Sequence, residues 1–243
     1  AWNWKAGTAF SNDASATGIG SIDSAGSVNS DLGFSIINLT GTGSVQTVAH
    51  GLSQAPELII EKNREKVDSW PVYSATLGNT KALLLNTTGS AGTSSTFWND
   101  TSPTSTVWTM GTQNSVNVSG QETIAYCFHS VEGYSKIGSY TGNGNADGPF
   151  VYTGFRPAFV MVKMTSGTQR WGMTDSARAP NNPNFNTLYA EDSLAEYTGT
   201  AHDRDYLSNG FKLRNTDTIF NGSGSTYIYM AFAEQPFKYA NAR

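Results

Sequence analysis

Short apolar segments separated by Gly, Ser, Thr and Asn recur along the whole chain, and they predict β-strands rather than helices. Ser44–His50 alternates apolar and polar residues, as expected for a strand with one buried face. Glu57–Ile60 and Phe159–Val162 lack this alternation, so we predict two central strands that are covered on both faces. We expect helical structure only as a short turn at Leu188–Glu196.

Turn-forming residues divide these segments into a series of short predicted strands. In the first half of the chain these strands are 33–39, 44–50, 58–62, 70–74, 82–85, 107–110 and 124–128. In the second half they are 134–140, 150–152, 158–164, 170–174, 211–214 and 227–233. Many short strands at this spacing are typical of an all-β sandwich or barrel.

The two halves of the chain match each other at a nearly constant spacing, which is 101 residues for most matches and 104 for the last one. The matched pairs are Pro56–Lys62 with Pro157–Lys163, Trp70 with Trp171, and Ile124–Phe128 with Ile228–Phe232. We assign the three additional residues to a longer loop at Ala179–Thr200, because insertions are tolerated in surface loops.

The repeat predicts an all-β fold of two tandem β-sandwich (jelly-roll-like) units related by internal duplication, at residues 33–130 and 131–243. Since Trp70 and Trp171 occupy the same place in the repeat, both are expected in the core. Ala1–Trp4 is interpreted as the closing strand of a preceding unit, with an unrelated aromatic strand as the alternative. The rest of residues 1–32, from position 5, is predicted to be a Gly/Ser-rich linker.

Composition narrows the classes of function. The chain has 243 residues and a formal net charge of −4, without a basic cluster, so we expect no nucleic-acid partner. It has no apolar run long enough to span a membrane, so we expect no membrane insertion. Its single cysteine, Cys127, lies in an apolar strand pattern and is interpreted as a buried small hydrophobic residue.

Several longer motifs resemble a repeat family of tail and fibre proteins of tailed bacteriophages, of the marine and aquatic type. The motifs are Trp2–Gly7, Gly33–Ile36, His50–Leu52, Leu77–Lys81, Ser95–Asp100, Gly138–Gly144, Asp147–Val151, Gly154–Pro157, Asp175–Arg178, Leu207–Arg214 and Ala231–Glu234. They keep their order along residues 1 to about 237.

The resemblance implies a virion protein, either a tail fibre or a host-adhesion module, with a capsid decoration protein as the alternative. It implies other virion proteins as partners, a host surface glycan as a ligand, and by analogy a homotrimer. The expected location is the surface of the virion, after assembly in the host cytoplasm. The resemblance brings no catalytic residues with it.

The candidate ligand-binding residues are aromatic, amide and charged side chains in two predicted loops. Sugars stack on aromatic rings, and amides and carboxylates bind their hydroxyl groups. We therefore propose Trp98, Asn99 and Asp100 in a Ser/Thr-rich loop, and Asp175 with Arg178, as a site for a glycan or another host surface component. The alternatives are that Trp98 packs inside the sandwich together with Trp108, and that Asp175 and Arg178 form a local salt bridge.

No known catalytic motif occurs in the sequence, and we expect no enzyme activity, no metal and no cofactor. A polysaccharide-degrading tailspike is the less favoured alternative, with Asp175, Glu191, Asp192 and Glu196 as the acids nearest to a cluster. Asn143–Gly148 resembles the start of a calcium loop, but Gly154 replaces the bidentate Glu, so we interpret it as a turn. His202 and its acidic neighbours are assigned to a solvated loop.

Overall fold

The computed structural model describes residues 3–5 and 7–235, and it divides the chain into two compact units. Unit 1 comprises Ala1–Leu85 and Ala91–His129, and unit 2 comprises Asn86–Ser90 and Ser130–Arg243. Strands dominate both units, so the predicted all-β class is confirmed. Asn86–Ser90 belong to unit 2 although unit 1 residues flank them on both sides.

Unit 1 is a β-sandwich built on an eight-stranded antiparallel sheet. Its strands are β1 (Thr8–Asn12), β2 (Ser24–Asn29), β3 (Phe34–Thr40), β4 (Gln46–Ala49), β5 (Leu58–Asn63), β6 (Pro71–Ser74), β7 (Lys81–Leu84), β8 (Gly92–Thr93), β9 (Val107–Met110) and β10 (Glu122–Phe128). The order in the large sheet is β1-β2-β3-β10-β5-β6-β7-β8, and β4 and β9 form a second, two-stranded sheet. Two helices of one turn each, α1 (Ala14–Thr17) and α2 (Ser95–Trp98), lie in connections.

The core of unit 1 draws side chains from both of these sheets, which is the packing of a sandwich. Ile37, Ala125 and Ile59 contribute from the large sheet, while Val48 and Trp108 contribute from the small one. Burial of this cluster drives the folding of a unit in which helices are almost absent.

Unit 2 repeats this architecture with a five-stranded and a three-stranded sheet. Its strands are β11 (Ser135–Thr141), β12 (Phe150–Tyr152), β13 (Pro157–Met164), β14 (Trp171–Asp175), β15 (Leu188–Tyr189), β16 (Arg204–Leu207), β17 (Gly210–Leu213) and β18 (Thr226–Ala233). The sheet orders are β11-β18-β13-β14-β15 and β12-β17-β16. One short helix, α3 (Thr218–Asn221), precedes the last strand, and 3₁₀ turns span Ser30–Leu32 in unit 1 and Thr200–His202 in unit 2.

Strand order and register recur between the two units. The order β3-β10-β5-β6 in unit 1 corresponds to β11-β18-β13-β14 in unit 2. Phe34 pairs with Phe128, and the residues 101 and 104 positions later, Ser135 and Phe232, also pair. The same correspondence holds for Ile60–Tyr126 with Met161–Met230 and for Ile60–Val72 with Met161–Met173. The spacings read from the sequence are therefore spacings between residues with equivalent hydrogen-bonded neighbours.

A fully buried asparagine closes the loops of each unit at the same place in the repeat. The Asn117 Oδ1 accepts hydrogen bonds from the backbone N–H groups of Thr42 and Gly43, at 2.9 and 3.1 Å. The Asn221 Oδ1 accepts one from the Asn143 N–H at 2.8 Å, and its Nδ2 donates to the Asn215 carbonyl at 2.6 Å. Each amide thus pairs with loop backbone groups that no strand satisfies.

The predicted linker at residues 5–32 is wrong. Within it, β1 and β2 form an antiparallel hairpin, and β2 pairs with β3 from Ser24–Leu39 to Asn29–Phe34. Gly26 permits this approach, since a Cβ there would lie 1.9 Å from the Ile36 carbonyl oxygen. The low apolar content suggested a linker, but an edge hairpin needs few apolar residues because both of its faces need not be buried.

Two further predictions are corrected. Of the segment interpreted as a closing strand, Ala1 and Trp2 lie outside the described residues, and the other two are not in a strand. The Trp4 ring instead packs 6.5 Å from the Phe34 ring and 6.3 Å from the Phe128 ring, centroid to centroid. The turn predicted as helical contains β15.

Trp70 and Trp171 share a backbone position but not an environment. The Leu85 N–H donates to the Trp70 carbonyl, and the Ala190 N–H donates to that of Trp171. The Trp171 side chain is 1% exposed, whereas Trp70 is only half-buried, so the prediction that both lie in the core is wrong for Trp70. The repeat determines the backbone site, while local packing determines burial.

Candidate functional site

Trp98 is not available to stack on a ligand. It is 2% exposed and belongs to the core cluster of unit 1, where its ring lies 5.6 Å from the Tyr73 ring. Its Nε1 donates to the Lys81 carbonyl at 3.0 Å. Trp108 is buried in the same cluster, which agrees with the alternative interpretation and corrects the prediction of a sugar-binding Trp98.

Asn99 and Asp100 are exposed and both adopt left-handed backbone conformations, with φ of 49° and 48°. Asn99 ends α2, and its N–H donates to the Ser95 carbonyl at 2.8 Å. Short polar side chains tolerate this region better than other L-residues, so the pair suits a tight turn. Their role in binding a ligand stays a prediction.

Asp175 and Arg178 do form the salt bridge that was the alternative reading. Asp175 is 2% exposed, and its Oδ1 accepts from the backbone N–H groups of Ala177 and Arg178 at 2.9 and 2.8 Å. The Arg178 Nε donates to the Asp175 Oδ2, and its Nη1 lies 2.5 Å from the Glu196 Oε1. Both groups are engaged in holding the loop, so their predicted contact with a ligand would require breaking that network.

The acids of the inserted loop face arginines rather than each other. Asp192 pairs with Arg170, whose hydrogen bond lowers the pKa of the Asp192 carboxyl. The Glu191 Oε1 lies 3.7 Å from the same Arg170, and its Oε2 accepts from the Trp171 N–H at 3.0 Å. Asp175 and Glu196 are both held by Arg178, so all four carboxylates lie next to an arginine.

His202 is buried, which corrects its assignment to a solvated loop. It is 3% exposed, and its ring lies 4.0 Å from the Tyr197 ring and 5.2 Å from the Phe220 ring. Arg204 is also buried, with its guanidinium carbon 4.0 Å from the Phe220 centroid and its Nε donating to the His202 carbonyl at 3.0 Å. Both side chains have partners inside unit 2 and stabilise the core of that unit.

Unit 1 contains a different buried ionisable group, Glu61. It is fully buried, and its Oε1 accepts from the Trp108 Nε1 at 2.7 Å, while its Oε2 has no hydrogen-bond partner within the described residues. Desolvation raises the pKa of Glu61 to about 8, and the Trp108 hydrogen bond opposes this only in part. Glu61 is therefore a neutral acid at pH 7, and it lies too deep to act on a substrate.

The most exposed aromatic side chains on a strand lie on β12 in unit 2. Phe150 is 44% exposed and Tyr152 is 65% exposed, whereas Val151 between them is buried. Since side chains alternate along a strand, the two rings project from the same, outward side of the three-stranded sheet. We call the outward side of β12, β17 and β16 the aromatic face.

Charged side chains continue the aromatic face across the neighbouring strands. Lys212 pairs with Phe150 in the ladder, and Asp205 pairs with Lys212. The Lys212 Nζ lies 2.8 Å from the Asp147 Oδ1, and the Arg214 Nε donates to the Asp205 Oδ2 at 2.6 Å. The loop that resembles a calcium loop thus places the Asp147 carboxylate beside Lys212, in agreement with its interpretation as a turn.

The smaller sheet of unit 1 is bonded along its edge. Both smaller sheets pair a buried valine with a buried aromatic residue, Val48 with Trp108 and Val151 with Phe211, so Thr47 and Ala49 flank Val48 as Phe150 and Tyr152 flank Val151. Ala49 is 3% exposed. The Ser21 N–H donates to the Thr47 carbonyl at 2.8 Å, and the Ser24 Oγ donates to the Ala49 carbonyl at 3.0 Å. Residues 21–24 therefore bond the backbone edge of β4, with the parallel bridge between Ile22 and Val48 among these contacts.

Sequence reasoning missed Phe150 and Tyr152. The sequence predicted a strand at Phe150–Tyr152, but three consecutive apolar residues do not show which side of a sheet remains exposed. No helix within the described part of the chain is long and apolar enough to cross a membrane.

Comparisons with known proteins give one match. A family model described as a domain of unknown function (DUF7483) matches residues 1–236. No curated protein and no solved structure matches the chain.

Proposed function

The chain belongs to the DUF7483 family, and we propose that it is a structural and adhesion module on the surface of a bacteriophage particle, in a tail fibre. The proposal rests on the sequence resemblance to tail and fibre proteins, together with the arrangement of side chains on unit 2. The observation that carries its adhesive part is the aromatic face, where Phe150 and Tyr152 are exposed beside paired charges.

The repeated registers support a modular, structural role. Equivalent strands pair at spacings of 101 and 104 residues, and a buried asparagine recurs at Asn117 and Asn221. We propose that the two units arose by duplication of one sandwich, which lengthens a fibre without requiring a new fold. The predicted trimer and the predicted contacts with other virion proteins remain part of this proposal.

The side-chain arrangement favours binding over catalysis. The acids of the inserted loop are ion-paired with Arg170 or Arg178, and the buried Glu61 and His202 lie inside the two cores. Exposed aromatic residues with neighbouring hydrogen-bonding groups are instead what a recognition surface requires. We therefore propose a module without enzyme activity.

Labelling of intact particles tests the structural part. Antibodies against the purified chain, visualised by electron microscopy, should decorate the tail. Labelling of the head would favour a capsid decoration protein, and particles without any label would contradict the proposal.

Cell binding tests the adhesive part. The fluorescently labelled full chain should bind host cells, and an excess of unlabelled chain should compete with it. Light scattering of the same sample measures the mass of the assembly and checks the predicted trimer. Absence of cell binding, with the chain located on the tail, would leave a structural module without an adhesive role.

A further inference from the structure

We propose that the aromatic face is a binding site for a neutral polysaccharide, and this inference rests on the adhesive function proposed above. The face consists of the outward side chains of β12, β17 and β16. One row across the strands contains Phe150, Lys212 and Asp205, and the next row contains Tyr152, Gly210 and Leu207. The two aromatic rings of β12 thus lie beside two charged side chains in the first row and beside Gly210 and Leu207 in the second.

The two rings can form a platform for sugar rings. Residues two apart on a strand are about 7 Å apart, which is within the reach of adjacent sugar units in an extended chain. Gly210 lets Phe150 lie close against the sheet, because a Cβ at that position would be 2.9 Å from the Phe150 Cζ. Tyr152 stands beside it with 65% of its surface exposed, so both rings present apolar surface to a ligand.

The charges around the rings favour an uncharged ligand. Lys212 is paired with Asp147, and Arg214 is paired with Asp205 and lies 3.5 Å from Asp147. Each cation therefore already has a carboxylate partner, which reduces the attraction for an anionic chain. The same groups offer both donors and acceptors, which is the combination that hydroxyl groups require.

The composition of the face argues against a protein partner as its occupant. Specific protein interfaces bury about 800 Å² on each partner around an apolar core. Leu207 is the one aliphatic residue in the two rows, and it is half-buried. Two rings surrounded by paired charges are suited to stacking against sugar rings rather than to a continuous apolar interface.

The experiment measures binding of the full chain to soluble polysaccharides by isothermal titration calorimetry. Laminarin and dextran serve as neutral probes, and alginate serves as an acidic one. We expect the wild-type chain to bind at least one neutral probe more tightly than alginate. Tyr152→Ala and Phe150→Ala should each weaken that binding by about tenfold, the upper range expected for one stacking contact.

The matched control is Leu194→Ala, since Leu194 is an apolar residue of unit 2 that is 54% exposed and lies outside the face. It should leave affinity unchanged, and thermal unfolding should show that all three variants are folded. Tyr152→Phe separates stacking from hydrogen bonding, and it should keep most of the affinity.

Three outcomes would overturn the inference: no binding of either neutral probe, preferential binding of alginate, or unchanged affinity in both alanine variants. The cell-binding assay separates this failure from failure of the proposed function. If the Tyr152→Ala chain binds host cells like the wild type, adhesion stands and the assigned site is wrong. If the wild type binds a neutral probe but no host cell, the site stands and the adhesive role fails.

Discussion

In unit 1 the sheet strand β3 pairs with the hairpin strand β2, whereas its counterpart in unit 2, β11, pairs only with β18 among residues 3–5 and 7–235. Part of the edge of β11 that does not face β18 forms hydrogen bonds with residues just before it in the chain. The Ser130 Oγ accepts from the Ile137 N–H at 3.0 Å, and the Val131 N–H donates to the Ser135 carbonyl at 3.1 Å. A seven-residue edge would otherwise offer its backbone to other strands.

The smaller sheets of the two units also differ in what lies against them. Residues of the hairpin and its turn cover β4 in unit 1, whereas β12 in unit 2 exposes two aromatic side chains. Two units that share the order of four central strands therefore present different surfaces. Peripheral segments such as the hairpin, rather than the shared strands, determine which strand edges each unit leaves free.

The cores also differ in their ionisable groups. Unit 1 buries Glu61, while unit 2 buries Arg204 and Lys163. The Lys163 Nζ donates to the Thr88 carbonyl at 3.0 Å and to the Gln169 carbonyl at 2.6 Å. Substitution of a residue that both units share should therefore lower the stability of both units alike. Substitution of one of these buried ionisable groups should affect one unit alone.

The largest effect is expected from the shared asparagines. Asn117→Ala and Asn221→Ala each leave one buried carbonyl and several partly buried backbone groups unpaired, so each should lower the free energy of unfolding of its own unit by about 3–5 kcal/mol. Denaturant titration with hydrogen exchange resolved for each unit measures this. Asn181→Ala, at an exposed position, is the control. A large loss in one unit with a change under about 1 kcal/mol in the other would break the equivalence.

A smaller effect, confined to unit 2, is expected from Lys163→Met. Methionine keeps the length of the side chain but leaves the Gln169 carbonyl without its lysine donor and the Thr88 carbonyl with the Gln169 N–H alone, at a cost of about 2–4 kcal/mol. Exchange should accelerate at the Gln169 amide, which donates to the Thr88 carbonyl at 2.9 Å. The half-exposed Lys136, changed to Met, is the control. An unchanged Gln169 amide would show that Lys163 does not hold the 86–90 segment.

Glu61→Gln should remove a pH dependence that belongs to unit 1. Folding raises the pKa of Glu61 from 4.5 to about 8, so the folded state retains a proton that the unfolded state has lost. Stability should then fall as pH rises through this window, by at most about 1.4 kcal/mol per pH unit. Burial lowers the pKa of His50 from 6.5 to about 4, which gives the opposite slope below pH 6.5.

The informative range is therefore pH 6.5 to 8, where the change of stability with pH comes from Glu61 rather than from His50. Denaturant titrations across this range should show wild-type unit 1 losing about 2 kcal/mol and the Gln variant losing little. Glu132→Gln, at an exposed site in unit 2, serves as the control. Equal slopes in wild type and Glu61→Gln would mean that Glu61 is ionised in the core.

The smallest effect is expected from Gly26→Ala. The added Cβ would lie 1.9 Å from the Ile36 carbonyl oxygen, so β2 must move away from β3. Because few hairpin residues are buried, unit 1 should lose only about 1 kcal/mol, while exchange in β2 increases. Gly92→Ala, where a Cβ meets no atom within 4 Å, is the control. Unchanged exchange in β2 would show that the sheet absorbs the methyl group.

Much of the architecture could be predicted from the repeat. The spacings of 101 and 104 residues identified equivalent strands, and the structure pairs those strands in the same register. The candidate site was predicted less well: Trp98 is buried, and Asp175 with Arg178 holds a loop. Phe150 and Tyr152 carried no distinguishing signal, because Phe159–Val162 and other predicted strands also contain consecutive apolar residues.

The amino-acid sequence by itself determined the strand segments, their equivalence between the units and the place of the inserted loop, because alternation and turn residues act locally. Tertiary structure alone decided that residues 8–29 form a hairpin on unit 1, that Trp171 is buried more deeply than Trp70, and that β12 is left open. The reason is that alternation assigns neighbouring side chains to opposite sides of a sheet. Which side becomes buried depends on the segments that pack over it, and these come from distant parts of the chain.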